Sequence, residues 1–514
     1  ASAQTGEAAA TRISGITADA AERRRAGGRI EGSHGIVDRG TWQGAVLMSI
    51  LRRIAASPHV SASDSVELIR AEIFSAERLE QHAESLAAAQ RVTARPGAVR
   101  PLTARLHDNR RALLDAHRAI ARAIGQGGAI TPAAEWLVDN YHVVEAQIRQ
   151  IDDDLPPGYY RQLPKLADGP LAGYPRVFAL AWAFVAHTDS RFDVQLLSRF
   201  VAAYQRVQPL TIGELWAIAI TLRIVLVENL RRAAEQIASR RAVRQQADRL
   251  ADRLLGVDAP LAEPLAAVLR EWNDEPLPTA FAVQLLQRLR DQDPEVTPAL
   301  AWLESRLSAS GTTADAVVRD EHQRQGASSV TVRNVITSMR SISAIDWADL
   351  FESVSLVDAV LRSDTSFGQM DFPTRDRYRQ AIEELARGSK YSEIEIASRA
   401  VQGARGGNTP RERDPGYPLI AGGRRAFEAE VGYRAPIRAW PIRVSAAVGI
   451  RGYIAGVALL SAIILAWPLV ALARAGSGAW TLGALAACGV IIAFEAAMAL
   501  ANTSITSRFG ARIL

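Results

Sequence analysis

Two long stretches without a charged residue lie near the end of this chain, and they constrain its fold more than any other feature. The first covers 22 residues from Gly452 to Ala473, and the second covers 20 residues between Arg474 and Glu495. A helix that crosses the roughly 30 Å hydrocarbon core of a bilayer needs about 20 apolar residues. The sequence therefore predicts a membrane segment at 445–514, with spans at about 452–473 and 478–501.

The short connection between these stretches predicts a transmembrane hairpin. Arg443 and Arg451 precede the first span, Arg508 and Arg512 follow the second, and the connection holds only Arg474. Because cytosolic flanks of spans are enriched in Lys and Arg, both ends of the hairpin are predicted to be cytosolic. The large region before the spans is then cytosolic as well, and the lipid bilayer is a predicted partner.

Glu495 is an acid within the second apolar stretch. An ionisable group inside a membrane is a functional candidate by default. The alternative, favoured by its place near the predicted cytosolic end, is that its side chain simply reaches water. Gly452 and Gly456 present a similar choice between close helix packing and coincidence in a helix rich in glycine and alanine.

Helix-forming residues and helical apolar spacing dominate the chain before the spans, without a series of alternating strands. The predicted fold class is all-α: a multi-helical cytosolic region followed by a two-helix transmembrane hairpin. One predicted helix, 176–187, is apolar nearly all round but too short to span a bilayer, so it is predicted to be a core helix. The predicted divisions are a disordered tail at 1–45, a helical N-terminal segment at 46–130, an α-helical cytosolic domain at 131–402, and a linker with a basic juxtamembrane segment at 403–444.

Charge and cysteine content exclude several function classes. The formal charge is +5, but acidic residues are interspersed almost everywhere, so a nucleic-acid partner is not predicted. Cys488 is the single cysteine, which excludes an intramolecular disulfide and a multi-cysteine metal site.

A polar group occurs in a predicted helix that starts with Thr131-Pro132 and runs to about residue 151. Glu135, Asp139 and His142 follow each other at i, i+4 and i+7, so they are predicted to share one helix face. Such a group could bind a metal or transfer protons. One histidine with two carboxylates is a weak metal signal, and a polar seam between packed helices is the favoured interpretation. No metal ligand is assigned.

Aromatic residues are dense in the same part of the chain. Trp136, Tyr141, Tyr159, Tyr160 and Arg161 are candidates for holding a sugar, because the last three follow a rigid Pro-Pro-Gly turn. Packing is the commoner role for such rings. The acidic runs 152–154 and 291–293 contain Asp-x-Asp, the metal and nucleotide-sugar motif of many glycosyltransferases. Because neither run follows a strand, no catalytic residue is assigned.

Three blocks of sequence resemble the N-terminal region of cyclic β-1,2-glucan synthases. The first comprises 134–145, 155–164, 173–177 and 210–216; the second comprises 321–326, 332–340 and 371–375; the third comprises 414–417 and 420–425. The likeness covers roughly residues 50–514.

The resemblance implies a very large, multi-pass protein of the bacterial inner membrane. In such synthases a processive glycosyltransferase domain uses UDP-glucose and a divalent metal to build the glucan on a protein-bound primer, and a phosphorylase-like module trims it. This chain is expected to be the front part, without the catalytic domain and without a cofactor of its own. Its expected partners are the transferase and phosphorylase-like modules of the same polypeptide.

Three hypotheses about function follow. The first is a non-catalytic scaffold and membrane anchor of a glucan synthase. The second is a helical module that binds the growing β-1,2-glucan or its acceptor. The third is an unrelated helical membrane regulator.

Overall fold

The computed structural model of the protein describes residues 67–125, 130–156, 158–257, 264–273, 277–290, 297–363, 365–436 and 440–509. The predicted tail at 1–45, the segment from 46 to 66 and the acidic run 291–293 lie outside these residues. The described part is all-α, as predicted. Its strands are two short antiparallel segments, Val92–Thr93 (β1) and Lys165–Leu166 (β2).

The first eight helices contribute most of one large hydrophobic core, called here the main core. The helix Arg176–His187 is buried along most of its length, as predicted for a core helix. The helices are α1 (Ala76–Ala89), α2 (Leu102–Gly125), α3 (Pro132–Asp139), α4 (Tyr141–Asp154), α5 (Tyr159–Gln162), α6 (Arg176–His187), α7 (Val194–Val207) and α8 (Ile212–Leu255).

A second, smaller core forms where the chain continues beyond α8. It is built by α9 (Leu265–Arg270), α10 (Thr279–Leu289), α11 (Thr297–Ala309) and the first part of α12 (Ala314–Ser343). Two long helices belong to both cores. The start of α8 and the end of α12 lie in the main core, whereas the end of α8 and the start of α12 lie in the second core.

The chain then returns to the main core. Here it forms α13 (Trp347–Val354), α14 (Leu356–Arg362), a 3-10 turn (Ser366–Gln369), α15 (Phe372–Gly388), α16 (Glu393–Arg405), α17 (Gly416–Ile420) and α18 (Arg424–Glu430). The last two helices lie in the stretch predicted as a linker. Their residues Leu419 and Phe427 are buried in the main core, so this stretch also packs against the body.

Apolar residues at helical spacing form buried faces. In α8 the face with Leu215, Ile218, Leu222, Val225 and Leu226 lies in the main core. Asp346 caps α13, because its carboxylate accepts a hydrogen bond from the Ala348 N–H at 2.9 Å.

Buried charges are paired throughout the main core. Arg379 and Asp358 both have fully buried side chains, and the guanidinium donates to both carboxylate oxygens at 3.0 and 2.6 Å. Glu228 accepts from Arg105 at 3.0 Å and from Asn109 at 2.7 Å. Such paired networks avoid the large cost of an isolated buried charge.

The last two helices are α19 (Trp440–Arg474) and α20 (Ala479–Phe509). Residues Ile450–Arg474 and Ala479–Ser504 are long and apolar enough to cross a membrane. The helices pack against each other as a hairpin. Most of their large apolar side chains are exposed, and Trp480 is 94% exposed.

Close packing between the two helices of the hairpin occurs at Gly489 and not at Gly456. A Cβ atom at Gly456 would meet nothing within 4 Å, whereas one at Gly489 would lie 2.7 Å from the Leu465 Cδ1 atom. At the open end, the Tyr453 hydroxyl donates to the Asn502 Oδ1 atom at 2.9 Å.

Candidate functional site

The start of α8 is the centre of a polar cluster, called here the helix-start cluster. Thr211 caps the helix, and its side chain and that of Glu214 form a reciprocal capping box. The Arg176 guanidinium donates to both Glu214 oxygens, at 2.9 and 2.5 Å, and to the Pro209 carbonyl at 3.0 Å. Because both charged side chains are almost fully buried, this bidentate pair fixes α6 against α8.

Glu393 at the start of α16 approaches the same helix end. It accepts a hydrogen bond from the Ile212 N–H at 2.7 Å. Burial raises the pKa of Glu393 to about 7, and the carboxylates of Glu383 and Glu214 add to the rise, against the hydrogen bond from Ile212. At neutral pH this carboxyl group is therefore partly protonated.

Tyr159 closes the cluster from the other side. Its hydroxyl donates to the Gly213 carbonyl at 2.7 Å, and burial raises the pKa of Tyr159 to about 12. A Cβ atom at Gly213 would lie 3.3 Å from both Glu383 Oε1 and Leu163 Cδ2. Glycine therefore permits the close approach of α5, α8 and α15 at this point.

Lys165 lies next to the helix-start cluster, in β2. Its ammonium group donates to the Tyr160 carbonyl, and burial lowers the pKa of Lys165 to about 8. The Tyr160 and Thr221 hydroxyls lie 3.0 Å apart. Carboxyl and ammonium groups with shifted pKa values often cluster at functional sites. Structural ion-pair networks shift pKa values in the same way. Here the charged groups are engaged by one another, by helix ends and by backbone groups, and the cluster joins five helices, α5, α6, α8, α15 and α16.

The predicted polar group of Glu135, Asp139 and His142 spans a helix break. The predicted continuous helix is interrupted, because Asn140 ends α3 and precedes α4. The Asn140 amide donates to the Trp136 carbonyl at 2.9 Å, which competes with the helical hydrogen bonds. Glu135, Asp139 and His142 are all exposed. Among the described residues, no group of three or more His, Cys, Asp or Glu side chains is placed to hold a metal ion.

The predicted aromatic candidates contact different elements. Trp136 lies under the Arg333 guanidinium, 5.8 Å from the ring centre, and Tyr141 stacks on His117 with ring centres 4.2 Å apart. Among the five candidates, Tyr159 and Tyr160 form a ring contact with each other, edge to face with ring centres 6.1 Å apart. Arg161 is exposed at the end of α5.

The acidic run at the end of α4 has basic neighbours. Asp154 lies 3.3 Å from Arg223, and Asp152 lies 3.8 Å from His107 and 4.0 Å from Arg110. These contacts offset the unfavourable placement of three acids at a helix C-terminus.

Glu495 is exposed on the outer surface of the hairpin. It precedes Asn502 by seven residues, which is about 10 Å along a helix. Asn502 itself bonds to Tyr453 at the open end. The carboxylate thus lies within the apolar part of α20, on a face that the hairpin partner does not cover.

Comparison with known proteins identifies the family. No protein-family model matches this chain. It is 37% identical to the cyclic beta-(1,2)-glucan synthase NdvB of Rhizobium meliloti (strain 1021) over 384 residues, which is 73% of this chain. Over the matched segment, this chain belongs to the cyclic β-(1,2)-glucan synthase family. The chain spans 13% of the length of that synthase.

The blocks that resemble glucan synthases form contacts between helices. Residues 155–164 and 210–216 meet in the helix-start cluster. The block 332–340 on α12 contacts the turn at Asp189 and Ser190, whose φ angles of 49° and 63° are unusual for residues with a side chain. Thr331, just before that block, donates to the Asp189 carboxylate at 2.7 Å, and the Asn334 amide donates to the Asp189 carbonyl at 3.0 Å.

Sequence reasoning missed most of the helix-start cluster. The Thr211-x-x-Glu214 pattern is a recognisable capping box. Arg176, Glu383 and Glu393 carry no local signal, since each lies more than 30 residues from Glu214 along the chain. Only the tertiary fold brings them together.

Proposed function

We propose that this chain serves as the scaffold and membrane anchor of a cyclic β-1,2-glucan synthase, and that glucosyl transfer is carried out by residues outside it. The observation that carries this proposal is the combination of a packed helical body with an apolar hairpin. The chain that contains both is matched to a named synthase over most of its length. UDP-glucose and a divalent cation are then ligands of the transferase part of the polypeptide.

Radiolabelled UDP-glucose tests the catalytic half of the proposal. The purified chain in lipid nanodiscs should incorporate no glucose into glucan, whereas the full-length synthase containing this segment should do so in parallel. Incorporation by the chain alone, above a boiled control, would overturn the assignment.

The anchor role requires the hairpin to lie in the inner membrane with the body in the cytosol. The arginines at the open end of the hairpin support this orientation. Single cysteines can test it in a Cys488→Ala background. In spheroplasts, an impermeant maleimide should label Ala475→Cys in the connection and should reach Ser392→Cys in the body only after permeabilisation. Immediate labelling of the second variant contradicts the orientation.

Glu495 supports a role for the hairpin as the start of a larger membrane bundle. An isolated carboxylate facing hydrocarbon costs several kcal/mol, so intramembrane acids generally face protein or water. We propose that a further membrane helix of the same polypeptide covers this face. In the full-length synthase, a cysteine at Ala499, one turn from Glu495, should resist a lipid-soluble maleimide, whereas a cysteine at Ala458 on α19 should react.

β-1,2-Glucan binding is a second candidate, supported only by exposed Arg161 beside half-buried Tyr159 and Tyr160. Calorimetry with linear β-1,2-oligoglucosides tests it directly. Heat at millimolar ligand that disappears in Arg161→Ala favours a glucan site here, and no heat removes this candidate while leaving the anchor role intact.

A further inference from the structure

A cavity of about 250 Å³ lies beside the middle of α8, between the main core and the second core. Its walls come from five helices: α2, α3, α8, α10 and α12. It forms where α8 and α12 pass from one core to the other. In this section α8 turns from apolar to polar residues, so the wall carries long side chains instead of core packing.

Three arginines of α8, Arg240, Arg241 and Arg244, line this cavity. Arg244 is neutralised by Glu321, with nitrogen and oxygen 2.9 Å apart. Arg240 and Arg241 are half-buried, and within the described part of the chain no acid forms an ion pair with either. The buried arginines of the main core form ion pairs with acids, whereas these two neighbouring guanidinium groups do not.

The acidic residue in the cavity wall, Asp248, already has partners. Asp248 accepts a hydrogen bond from the Gln284 amide at 2.8 Å and lies 4.0 Å from Arg288. It therefore offers little compensation to the two arginines. The wall carries an excess of positive charge.

The remaining lining adds a helix N-terminus and a hydroxyl group. The first turn of α3, with Thr131, Ala133 and Ala134, forms part of the wall. Pro132 has no N–H, and the Ala134 N–H already donates to Thr131, so this turn contributes mainly the positive end of the helix dipole, which favours anions. The Ser328 hydroxyl on α12 adds a further donor.

We propose that this cavity binds the phosphate or diphosphate group of a small phosphorylated ligand, with Arg240 and Arg241 as its main contacts. Arginine presents planar donor pairs that match phosphate oxygens, and a helix N-terminus complements them. A volume of about 250 Å³ is about eight times the share of one liquid water molecule. A diphosphate with a small substituent fits this space, whereas a protein segment does not. The site lies outside the helix-start cluster and does not depend on the function proposed above.

Calorimetry of the whole chain in phosphatidylcholine nanodiscs tests the site, with inorganic phosphate and pyrophosphate as probes. Pyrophosphate should bind, and Arg240→Gln/Arg241→Gln should weaken its affinity roughly tenfold or more. Arg249→Gln is the control, because it removes one positive charge from an exposed position of α8, outside the cavity wall. The affinity of this control should stay within about twofold of the unchanged chain.

A second arm separates a free phosphate from a lipid headgroup. Nanodiscs containing phosphatidylglycerol, without pyrophosphate, should leave the urea midpoint unchanged, whereas added pyrophosphate should raise it. If phosphatidylglycerol raises the urea midpoint, and the double variant abolishes this rise, the site exists and its ligand is a lipid headgroup. Equal responses of the double variant and the Arg249→Gln control in both arms overturn the proposal, and Arg240→Lys/Arg241→Lys should retain part of the binding.

Discussion

The helical body buries apolar side chains and paired charged side chains, whereas the hairpin exposes most of its large apolar side chains. In the body, Arg379 and Asp358 are fully enclosed and paired. In the hairpin, large apolar residues point outward, as Trp467 at 82% exposure and Trp480 at 94% illustrate. Helix α6 is also apolar nearly all round, yet it lies inside the body. The length of an uncharged run, more than its apolar content, separates the two environments.

The largest effect is expected from breaking the enclosed pair in the body. Arg379→Met leaves Asp358 without its bidentate partner, and removing one partner of a buried pair costs about 3–5 kcal/mol. Urea unfolding should show this loss in the free energy of unfolding. Arg377→Met, an exposed neighbour on α15, is the control and should change it by less than about 0.5 kcal/mol. Equal losses in both variants would refute the distinction.

A somewhat smaller effect is expected from pH acting on Glu393. Its folded pKa of about 7 lies above its ordinary value, so the folded state binds more protons than the unfolded state between these values. Stability should therefore fall as pH rises from about 4.5 to 7, by roughly 2–3 kcal/mol, and level off above pH 7.

Glu393→Gln keeps an oxygen for the Ile212 N–H and removes the titrating group. This variant should lose the fall in stability, as measured by urea midpoints across the pH range. Glu304→Gln, at an exposed position of α11, should retain the fall. A fall that persists in Glu393→Gln must come from other groups.

The hairpin contact should respond to side-chain volume at a single glycine. Gly489→Leu places atoms against Leu465, so the helices must separate at a cost of about 1–3 kcal/mol. Gly483→Leu is the control, since a Cβ atom there meets nothing within 4 Å. In a Cys488→Ala background, cross-linking of Tyr453→Cys to Asn502→Cys should decrease only in the Gly489 variant.

The smallest effect is expected at the cap of α8. Thr211→Ala removes the acceptor for the Glu214 N–H and should lower the free energy of unfolding by about 1 kcal/mol. Thr337→Ala, within α12 and exposed, should have a smaller effect in the same urea titration. A loss as large as that of Arg379→Met would mean that the capping box controls the buried Arg176–Glu214 pair.

Periodic features of the sequence predicted much of the fold. The bounds of α6, the buried face of α8, the cap of α13 and the two apolar spans follow from local residue patterns. The break at Asn140 could not be predicted in this way. Asparagine is tolerated within helices, and the Asn140 side chain accepts a hydrogen bond from Arg340, 200 residues away.

The sites were harder to predict than the elements. The prediction that Glu135, Asp139 and His142 share one face assumes a continuous helix over residues 135–142, and the break at Asn140 lies between Asp139 and His142. Glu393 meets Ile212 across 181 residues of sequence. Such long-range contacts depend on how the helices pack against each other. The spacing of residues along one helix does not determine this packing.

The continuity of α8 has a mechanical consequence. Its 44 residues form a rod about 66 Å long, held firmly at the capped end. A tilt of about 5° at that end displaces the other end by about 6 Å, given a rise of 1.5 Å per residue. Because the first half of α8 is buried in the main core, such a tilt requires the helices packed on it to move as well, and the continuous helix transmits that movement to the second core.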